Sequence, residues 1–363
     1  MRYLSVCSGI EAVSVAWQDM DWQPAAFAET DPHASSVLAH HFPDVQNHGD
    51  FTTIQEHEYG TIDLVVGGTP CQAFSIAGKR TGVDDPRGNL TLEFIRLVAR
   101  VRPRWFLWEN VPGVLSIDDG RTFGTFLHEM GELGYGTAYR ILDTQYVRTP
   151  GFPRALPQRR RRVFVVGCAG TRWRASAAVL FDSRSLSGDP PPSRKKGETC
   201  SATLVSHIGT GGDEGYRFCV VHTRQSPITS TDVSLPLEVQ SNQAVVSAAI
   251  TSKWAKGNGG PSGDECQNLV VNNGKLRKFT PLECERLQGF PDEWTRVLHN
   301  GKKMSNSARY RMLGNAMSVN VMEWIGRRME YVNRILPKKK PGNHEELPGF
   351  LNSSPNRSMT NRA

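Results

Sequence analysis

The stretch DLVVGGTPCQ, residues 63–72, decides the fold. Residues 63–66 are predicted to form a strand, which breaks at Gly67 and Gly68. A short apolar run that ends at a glycine turn is typical of a buried strand in a parallel sheet. The sequence therefore predicts a strand whose carboxyl end leads directly into a tight turn that carries Cys71.

Short β-rich runs alternate with helical stretches around this strand. Strands are predicted at 3–6, 25–28 and 105–108, and helices at 11–20 and 90–101. This alternation predicts an α/β fold with a doubly wound, mostly parallel sheet, in which ligands bind at the carboxyl ends of the strands. One cleft is therefore expected to collect the residues that follow the strands, namely Cys7, Ser8, Gly9, Glu29, Cys71 and Glu109.

The order and composition of the chain predict four regions. Residues 1–182 are expected to form the larger α/β domain, and 183–276, rich in Ser, Thr, Gly and Pro, a smaller loop-rich β domain. Residues 277–336 are expected to return to the first domain through a helix capped by Thr280. Residues 337–363, rich in Pro, Asn, Ser and Gly with a basic cluster, are predicted to be a disordered tail.

Bulk composition narrows the class of protein. The 363 residues carry a formal net charge of +7, a modest excess that favours a polyanionic partner. The seven cysteines show neither a disulfide framework nor paired zinc-ligand spacing, so we interpret them as reduced thiols and assign no metal ligand. The N-terminus lacks the apolar core of a signal peptide and no stretch resembles a membrane span. These features predict a cytoplasmic protein, and we expect it to be monomeric.

Each chemical candidate has an ordinary structural alternative. Cys71 is either an activated nucleophile or a small residue that fills a turn. Glu109 follows a buried strand, where a carboxylate is costly unless it binds a ligand, caps a turn or pairs with an arginine. Glu29 and Asp50 suit ribose or base contacts but are equally compatible with solvated loops. The turn at Cys7 departs from a GxGxxG phosphate loop, which favours a cofactor without a pyrophosphate.

The order of these segments resembles the DNA cytosine-5 methyltransferase family over nearly the whole chain outside the middle region. A chance match would not keep the order of so many short segments. The matching segments are LSVCSG at 4–9, Glu29 with Asp31, Gly49-Asp50, GGTPCQAFS at 67–75, ENV at 109–111, PQRRRR at 157–162, LQGFP at 287–291 and GNA at 314–316.

The resemblance implies a covalent mechanism. Cys71 would attack C6 of a cytosine flipped out of duplex DNA, and Glu109 would hold N3 and the amino group. Arg160 and Arg162 match family positions near the base O2 and the catalytic loop. The methyl group of S-adenosyl-L-methionine would then pass to C5.

The resemblance also implies that residues 1–182 are the cofactor-binding and catalytic domain, and it implies binding residues. The family usually stacks an aromatic residue on adenine where this chain has Cys7. Cofactor contacts are expected at Cys7, Gly9, Ile10, Glu29, Thr30, Asp50, Phe51, Pro70, Leu90, Asn315 and Ala316. DNA contacts are expected at Gln72, Ser75, Lys79, Arg80 and Gln158.

Two other functions stay open at this point. An RNA cytosine-5 methyltransferase, acting on transfer RNA, would use the same chemistry. A catalytically silent DNA-binding homologue would keep the fold, although the intact set of Cys71, Glu109 and Arg162 argues against silence. The middle region occupies the target-recognition position, and its sequence does not identify the DNA target. A restriction-modification system, a mobile element and a housekeeping role are equally compatible with the chain.

Overall fold

The computed structural model describes residues 1–70, 90–170, 172–181 and 279–335, together with the backbone of short strands between 204 and 278. The predicted catalytic and DNA-binding residues Cys71, Gln72, Ser75, Lys79 and Arg80 lie outside the described residues, as do most of the predicted middle domain and the predicted tail.

A six-stranded sheet forms the centre of the fold. The first seven strands of the chain are β1 (Arg2–Val6), β2 (Gln23–Ala28), β3 (Leu64–Gly67), β4 (Trp105–Asn110), β5 (Tyr135–Asp143), β6 (Gln158–Arg159) and β7 (Arg161–Ala169). The spatial order in the sheet is β2-β1-β3-β4-β7-β5, and β7 runs antiparallel to the other five strands. The mostly parallel sheet predicted from the sequence is therefore confirmed.

Short strands of two to four residues pair outside the central sheet. Besides β6, they are β8 (Leu204–Val205), β9 (Cys219–Val220), β10 (Ser247–Ala248), β11 (Leu269–Asn272), β12 (Lys275–Lys278), β13 (Leu298–His299) and β14 (Lys302–Lys303). Strand β6 pairs in parallel with β10, and the other pairs are antiparallel.

Helices cover both faces of the sheet, as a doubly wound fold requires. The eight helices of the described residues are α1 (Ala12–Trp17), α2 (Pro32–His41), α3 (Leu90–Val101), α4 (Arg121–Glu132), α5 (Trp173–Leu180), α6 (Pro281–Gln288), α7 (Asn306–Asn315) and α8 (Val319–Ile335). Helices α1, α5 and α8 pack on one face of the sheet, and α3 and α4 pack on the other.

Strand β4 shows why the sheet needs both layers. Trp105 and Leu107 point into the core beside α1 and α8, whereas Phe106 and Trp108 point into the core beside α3 and α4. All four side chains are fully buried. Because successive strand residues face opposite sides, a continuous apolar run is stable only when helices cover both faces.

Helix α8 brings the C-terminal segment onto the N-terminal half of the sheet. The Trp17 indole donates a hydrogen bond to the Met322 carbonyl at 2.8 Å. A Cβ at Gly326 would lie 2.2 Å from the Trp17 ring nitrogen, so only glycine permits this close packing of α1 and α8. No helix in the described part of the chain is long and apolar enough to cross a membrane.

Element boundaries differ from the predicted ones where long-range pairing extends a strand. Glu109 and Asn110 were expected to follow β4, but they form its last residues because they pair with Phe164 and Val163 of β7. Helix α1 begins at Ala12 rather than residue 11. The capping box predicted at Thr280 is confirmed, with the Thr280 and Glu283 side chains bonded to each other's backbone.

A buried ion pair ties α6 to α7. Arg309 Nη2 lies 2.9 Å from Oε1 of Glu285, and the Glu285 side chain is fully buried. The same carboxylate accepts backbone hydrogen bonds from Glu293 and Thr295, each at 2.8 Å. This one side chain therefore organises the segment between the two helices.

Replacing Glu285 by glutamine is expected to lower the free energy of unfolding by about 3–5 kcal/mol, because it leaves the Arg309 charge buried without a counter-charge. Urea denaturation measures this loss. The matched control is Glu293→Gln, which breaks a solvent-exposed pair with Arg296 and is expected to cost less than about 1 kcal/mol. Equal losses in the two variants would contradict the assigned role of Glu285.

Candidate active site

The turn that precedes Cys71 is packed against the end of β4. A Cβ added at Gly68 would lie 2.9 Å from Oε2 of Glu109 and 3.2 Å from the terminal methyl of Met317. Because residue 68 has no side chain, the backbone passes beside the Glu109 carboxylate without displacing it. This approach places the Glu109 carboxylate beside the turn that leads to Cys71.

Thr69 fixes the position of the same turn. Its hydroxyl accepts a hydrogen bond from the Trp108 indole at 2.9 Å and bonds to the Thr91 hydroxyl at 3.0 Å. Its carbonyl accepts from the Asn110 side-chain amide at 3.1 Å. Bonds to both β4 and α3 hold the chain up to exposed Pro70, the residue before Cys71.

Glu109 forms a largely buried ion pair with Arg162. Arg162 Nε lies 3.2 Å from Oε1 of Glu109, and the side chains are 17% and 13% exposed. Burial raises the pKa of Glu109 above its ordinary value, and the charges of Arg162 and Arg160 only partly oppose this shift. A carboxyl group with these neighbours keeps its proton closer to neutral pH than a solvated glutamate does.

Arg160 connects the site to the C-terminal segment. Its guanidinium is buried and donates hydrogen bonds to the carbonyls of Gly314 at 3.2 Å and Ala316 at 2.7 Å. Burial, followed by the charge of Arg162, lowers its pKa to about 9. The predicted role of Arg160 beside the base stays a prediction, but its contacts bring the PQRRRR and GNA segments together.

Glu29 organises the turn that follows β1. Its carboxylate accepts hydrogen bonds from the backbone N–H groups of Gly9 and Asp31, each at 2.7 Å. Asn47 in turn bonds to the backbone N–H of Glu29 at 2.9 Å and to its carbonyl at 3.1 Å. Each carboxylate oxygen retains a free lone-pair direction, so Glu29 can still accept further hydrogen bonds.

Cys7, Glu29 and Asp50 meet at this edge of the sheet. Cys7 has a left-handed backbone, with φ of 49°. Burial, followed by the nearby charges of Glu29 and Asp50, raises the pKa of the Cys7 thiol to about 12. Asp50 caps the 3-10 turn Phe51–Thr53. The structure thus brings together three of the residues at which the family resemblance implied cofactor contacts.

The remaining predicted residues differ in exposure. Ile10 is fully buried and its carbonyl accepts from the Trp294 indole at 2.9 Å. Gln158 is also fully buried, and among the described residues its side-chain amide has no hydrogen-bond partner, so contact with DNA would require it to become exposed. Thr30, Pro70 and Asn315 are exposed, Leu90 is half-buried, and Phe51 and Ala316 are buried.

Sequence reasoning gave no role to two polar residues that hold the site. Gln288 donates to the Leu313 carbonyl at 2.8 Å and accepts from Ser318 at 3.2 Å, which joins the LQGFP and GNA segments. The sequence signal that could have identified Gln288 is a polar amide side chain within an otherwise apolar motif. Asn47, which brackets Glu29, gave no comparable signal because its partners lie far away in sequence.

Comparison with protein families identifies the relationship. A model of the family described as C-5 cytosine-specific DNA methylase matches residues 1–331. The chain belongs to this family. The resemblance inferred from the order of the motifs is therefore confirmed, and this family member is expected to be an enzyme that transfers methyl groups.

Two curated relatives of this cytosine methylase family member extend over most of its length. The "DNA N-6-adenine-methyltransferase" of Escherichia phage P1 is 31% identical over 94% of this chain, which spans only 62% of that relative. The "Type II methyltransferase M2.BsuMI" of Bacillus subtilis (strain 168) is 30% identical over 90% of this chain and 74% of the relative. The first name refers to adenine, unlike the family description, so the modified base needs a direct test.

Solved structures share the fold of this family member. The crystal structure of a Spodoptera frugiperda DNMT2 mutant has a TM-score of 0.59 and 20% identity, covering 91% of this chain and 99% of that chain. A putative DNA modification methyltransferase encoded within an E. coli prophage has a TM-score of 0.54 and 19% identity, covering 92% and 99%. At these identities the similarity concerns the fold alone.

Proposed function

We propose that this protein is a DNA cytosine-5 methyltransferase. It would transfer a methyl group from S-adenosyl-L-methionine to C5 of a cytosine flipped out of duplex DNA, with Cys71 as the nucleophile. The observation that carries this proposal is the position of Glu109, whose carboxyl group of raised pKa lies beside the turn leading to Cys71 and against Arg162.

The proposed reaction begins with attack of the Cys71 thiolate on C6 of the cytosine. The electron pair of the C5–C6 double bond moves into the ring toward N3, where Glu109 donates its proton. This neutralises the charge that the attack creates, and C5 becomes nucleophilic. When bound, S-adenosyl-L-methionine supplies an electrophilic methyl group. The C5 proton then leaves to solvent, N3 returns its proton to Glu109, and departure of the Cys71 thiolate restores the aromatic ring.

The residues at the β1 edge fit the proposed cofactor. Gly9 and Gly49 both have positive φ, and a Cβ at either would meet no atom of the described residues within 4 Å, which indicates open space beside Glu29 and Asp50. Carboxylates at the ends of strands accept hydrogen bonds from ribose hydroxyls and from the amino group of adenine. We assign Glu29 to the ribose and Asp50 to the adenine amino group.

Access to C6 requires the target base to leave the duplex. Unstacking costs a few kcal/mol, which contacts with the displaced strand must offset. We assign these contacts to Gln72, Ser75, Lys79 and Arg80 on the basis of their place in the sequence. The relatives named Type II methyltransferases include M2.BsuMI and M1.ScrFI, and a relative from Bacillus phage SPR is named "Orphan methyltransferase M.SPRI", so a modification role in a restriction system or in a phage fits the proposal.

Purified protein is expected to transfer radiolabel from methyl-labelled S-adenosyl-L-methionine to duplex DNA and not to transfer RNA. Because the recognition sequence is not defined, the DNA should be unmodified genomic DNA of high sequence complexity. Labelling of transfer RNA alone would contradict the DNA substrate. Folded protein that binds the cofactor but labels neither would support a silent DNA-binding homologue.

A further inference from the structure

A buried carboxylate lies directly behind the turn assigned to the cofactor. Glu11 follows Ile10, is fully buried and has a left-handed backbone with φ of 61°. Its Oε1 accepts a hydrogen bond from the backbone N–H of Ser14 at 3.0 Å, so it caps α1. A non-glycine residue in this conformation persists only when surrounding contacts hold it.

Hydroxyl groups surround the Glu11 carboxylate. Ser5 on β1 donates to Oε2 at 2.8 Å, and the Ser14 hydroxyl donates to Oε1 at 2.9 Å. The Tyr3 hydroxyl bonds to the Ser14 hydroxyl at 2.7 Å. Glu11 therefore joins β1 and α1 on either side of the cofactor turn through uncharged hydrogen-bond partners.

Glu11 has no cationic partner among the described residues. Helix α1 itself carries no charged side chain, and the ionisable groups on β1 are Tyr3 and Arg2, whose guanidinium donates a hydrogen bond to the Thr61 carbonyl at 3.3 Å. Beyond the turn lies the carboxylate of Glu29, and on α8 the carboxylate of Glu323 is paired with Arg327 at 2.7 Å. This arrangement differs from that of the other fully buried glutamate described above, Glu285, which has an arginine partner.

An unpaired buried carboxylate is unfavourable in its ionised form. Burial raises the pKa of Glu11 to about 7, even though its hydrogen bonds with Ser5 and Ser14 favour the ionised form. Near neutral pH the group therefore exchanges a proton readily, and a positive charge placed nearby would shift the balance toward ionisation.

We propose that Glu11 is the counter-charge for the sulfonium of S-adenosyl-L-methionine bound at the adjoining turn, and that Glu11 releases its proton as this cofactor binds. This inference rests on the proposed function. Methyl transfer converts the sulfonium into the neutral thioether of S-adenosylhomocysteine, so Glu11 takes a proton back from solvent. The ionised carboxylate thereby favours the methyl donor over the spent product.

Calorimetric titration with each ligand at about pH 6 and about pH 8 tests this inference. The ratio of the S-adenosylhomocysteine Kd to the S-adenosyl-L-methionine Kd is expected to rise about tenfold over this interval in the wild type. The two ligands share their amino-acid and adenosine groups, so the titrations of protein groups that contact both ligands alike cancel in the ratio, and the Glu11→Gln ratio corrects for titration of the ligands themselves. Near pH 7, binding of the donor is also expected to release a proton, seen as a dependence of the heat on the buffer.

Glu11→Gln is the principal variant, because it keeps the size of the side chain and removes the charge. Its Kd ratio is expected to be independent of pH, and its binding heat independent of the buffer. A purely structural role would instead weaken both ligands equally. In Ser5→Ala, which removes a hydrogen bond to the ionised carboxylate, the rise in the ratio is expected at higher pH than in the wild type.

Thermal melting provides a check on folding. Because folding raises the pKa of Glu11, its contribution favours the wild type at low pH and is lost as pH rises through about 7. Relative to the wild type, Glu11→Gln is therefore expected to gain melting temperature as pH rises. If this variant fails to fold, the wild type and Ser5→Ala carry the test.

A wild-type Kd ratio that does not change with pH would overturn the role of Glu11 while leaving the proposed cofactor intact. Folded wild-type protein that binds neither ligand would overturn the proposed cofactor together with this inference.

Discussion

Cys71→Ser is expected to reduce methyl transfer to DNA by at least about a thousandfold. A thiolate is a strong nucleophile near neutral pH, whereas a serine hydroxyl stays protonated unless a dedicated base activates it. Without attack on C6, C5 of cytosine is too weak a nucleophile to accept the methyl group. Single-turnover transfer of radiolabel to duplex DNA measures the effect on the chemical step.

The matched control for this substitution is Cys266→Ser, which changes the same atoms at a cysteine to which we assign no role. It is expected to transfer methyl groups at the wild-type rate. Cys71→Ser is expected to bind S-adenosyl-L-methionine with unchanged affinity, because the substitution affects the nucleophile and not the cofactor cleft. Retention of more than about a tenth of the wild-type rate would contradict covalent catalysis by Cys71.

Glu109→Gln is expected to lower kcat about 100-fold to 10,000-fold, the usual range for loss of a general acid. Glutamine matches glutamate in size but has no acidic proton to donate to N3. Its amide can still bond to Arg162, so the end of β4 is expected to stay folded. The loss should appear in kcat more than in the affinity for DNA, because the proton is needed only when C6 is attacked.

The pH dependence of Glu109 has a defined sign. Burial raises its pKa, so the protonated acid persists to higher pH than in a solvated glutamate and is lost as pH rises through the raised value. The rate that depends on this acid should therefore decline on the alkaline side, and Glu109→Gln should lack that decline. Glu132→Gln on the exposed end of α4 is the control. Glu109→Gln activity within about threefold of the wild type would contradict the assignment.

Short-range sequence patterns predicted the elements whose formation depends on residues close in sequence. The apolar run at 105–108 fills both cores, as a strand covered on two faces must. The Thr280 capping box and the helix at Leu90–Val101 also follow from short-range spacing. The carboxyl-edge position of Cys7 and Glu29 followed from the alternation of strands and helices, because parallel strands end at one edge.

Features that depend on distant partners were not predictable in this way. The reversed direction of β7 depends on its pairing with β4 and β5, which no local pattern specifies. Arg160 reads as one of four successive arginines in the sequence, yet its buried guanidinium binds carbonyls at Gly314 and Ala316. Glu11 is the first residue of the helix predicted at 11–20, and only the positions of Ser5 and Tyr3 show that it lies in a buried hydroxyl network.

Identification of the modified nucleoside tests the central claim most directly. Unmodified duplex DNA is incubated with the purified protein and isotopically methyl-labelled S-adenosyl-L-methionine, digested to nucleosides and analysed by mass spectrometry. The proposed function predicts that the label appears in 5-methyl-deoxycytidine and that Cys71→Ser yields none. Label in N6-methyl-deoxyadenosine, the product that the name of the phage P1 relative describes, would contradict the proposed function.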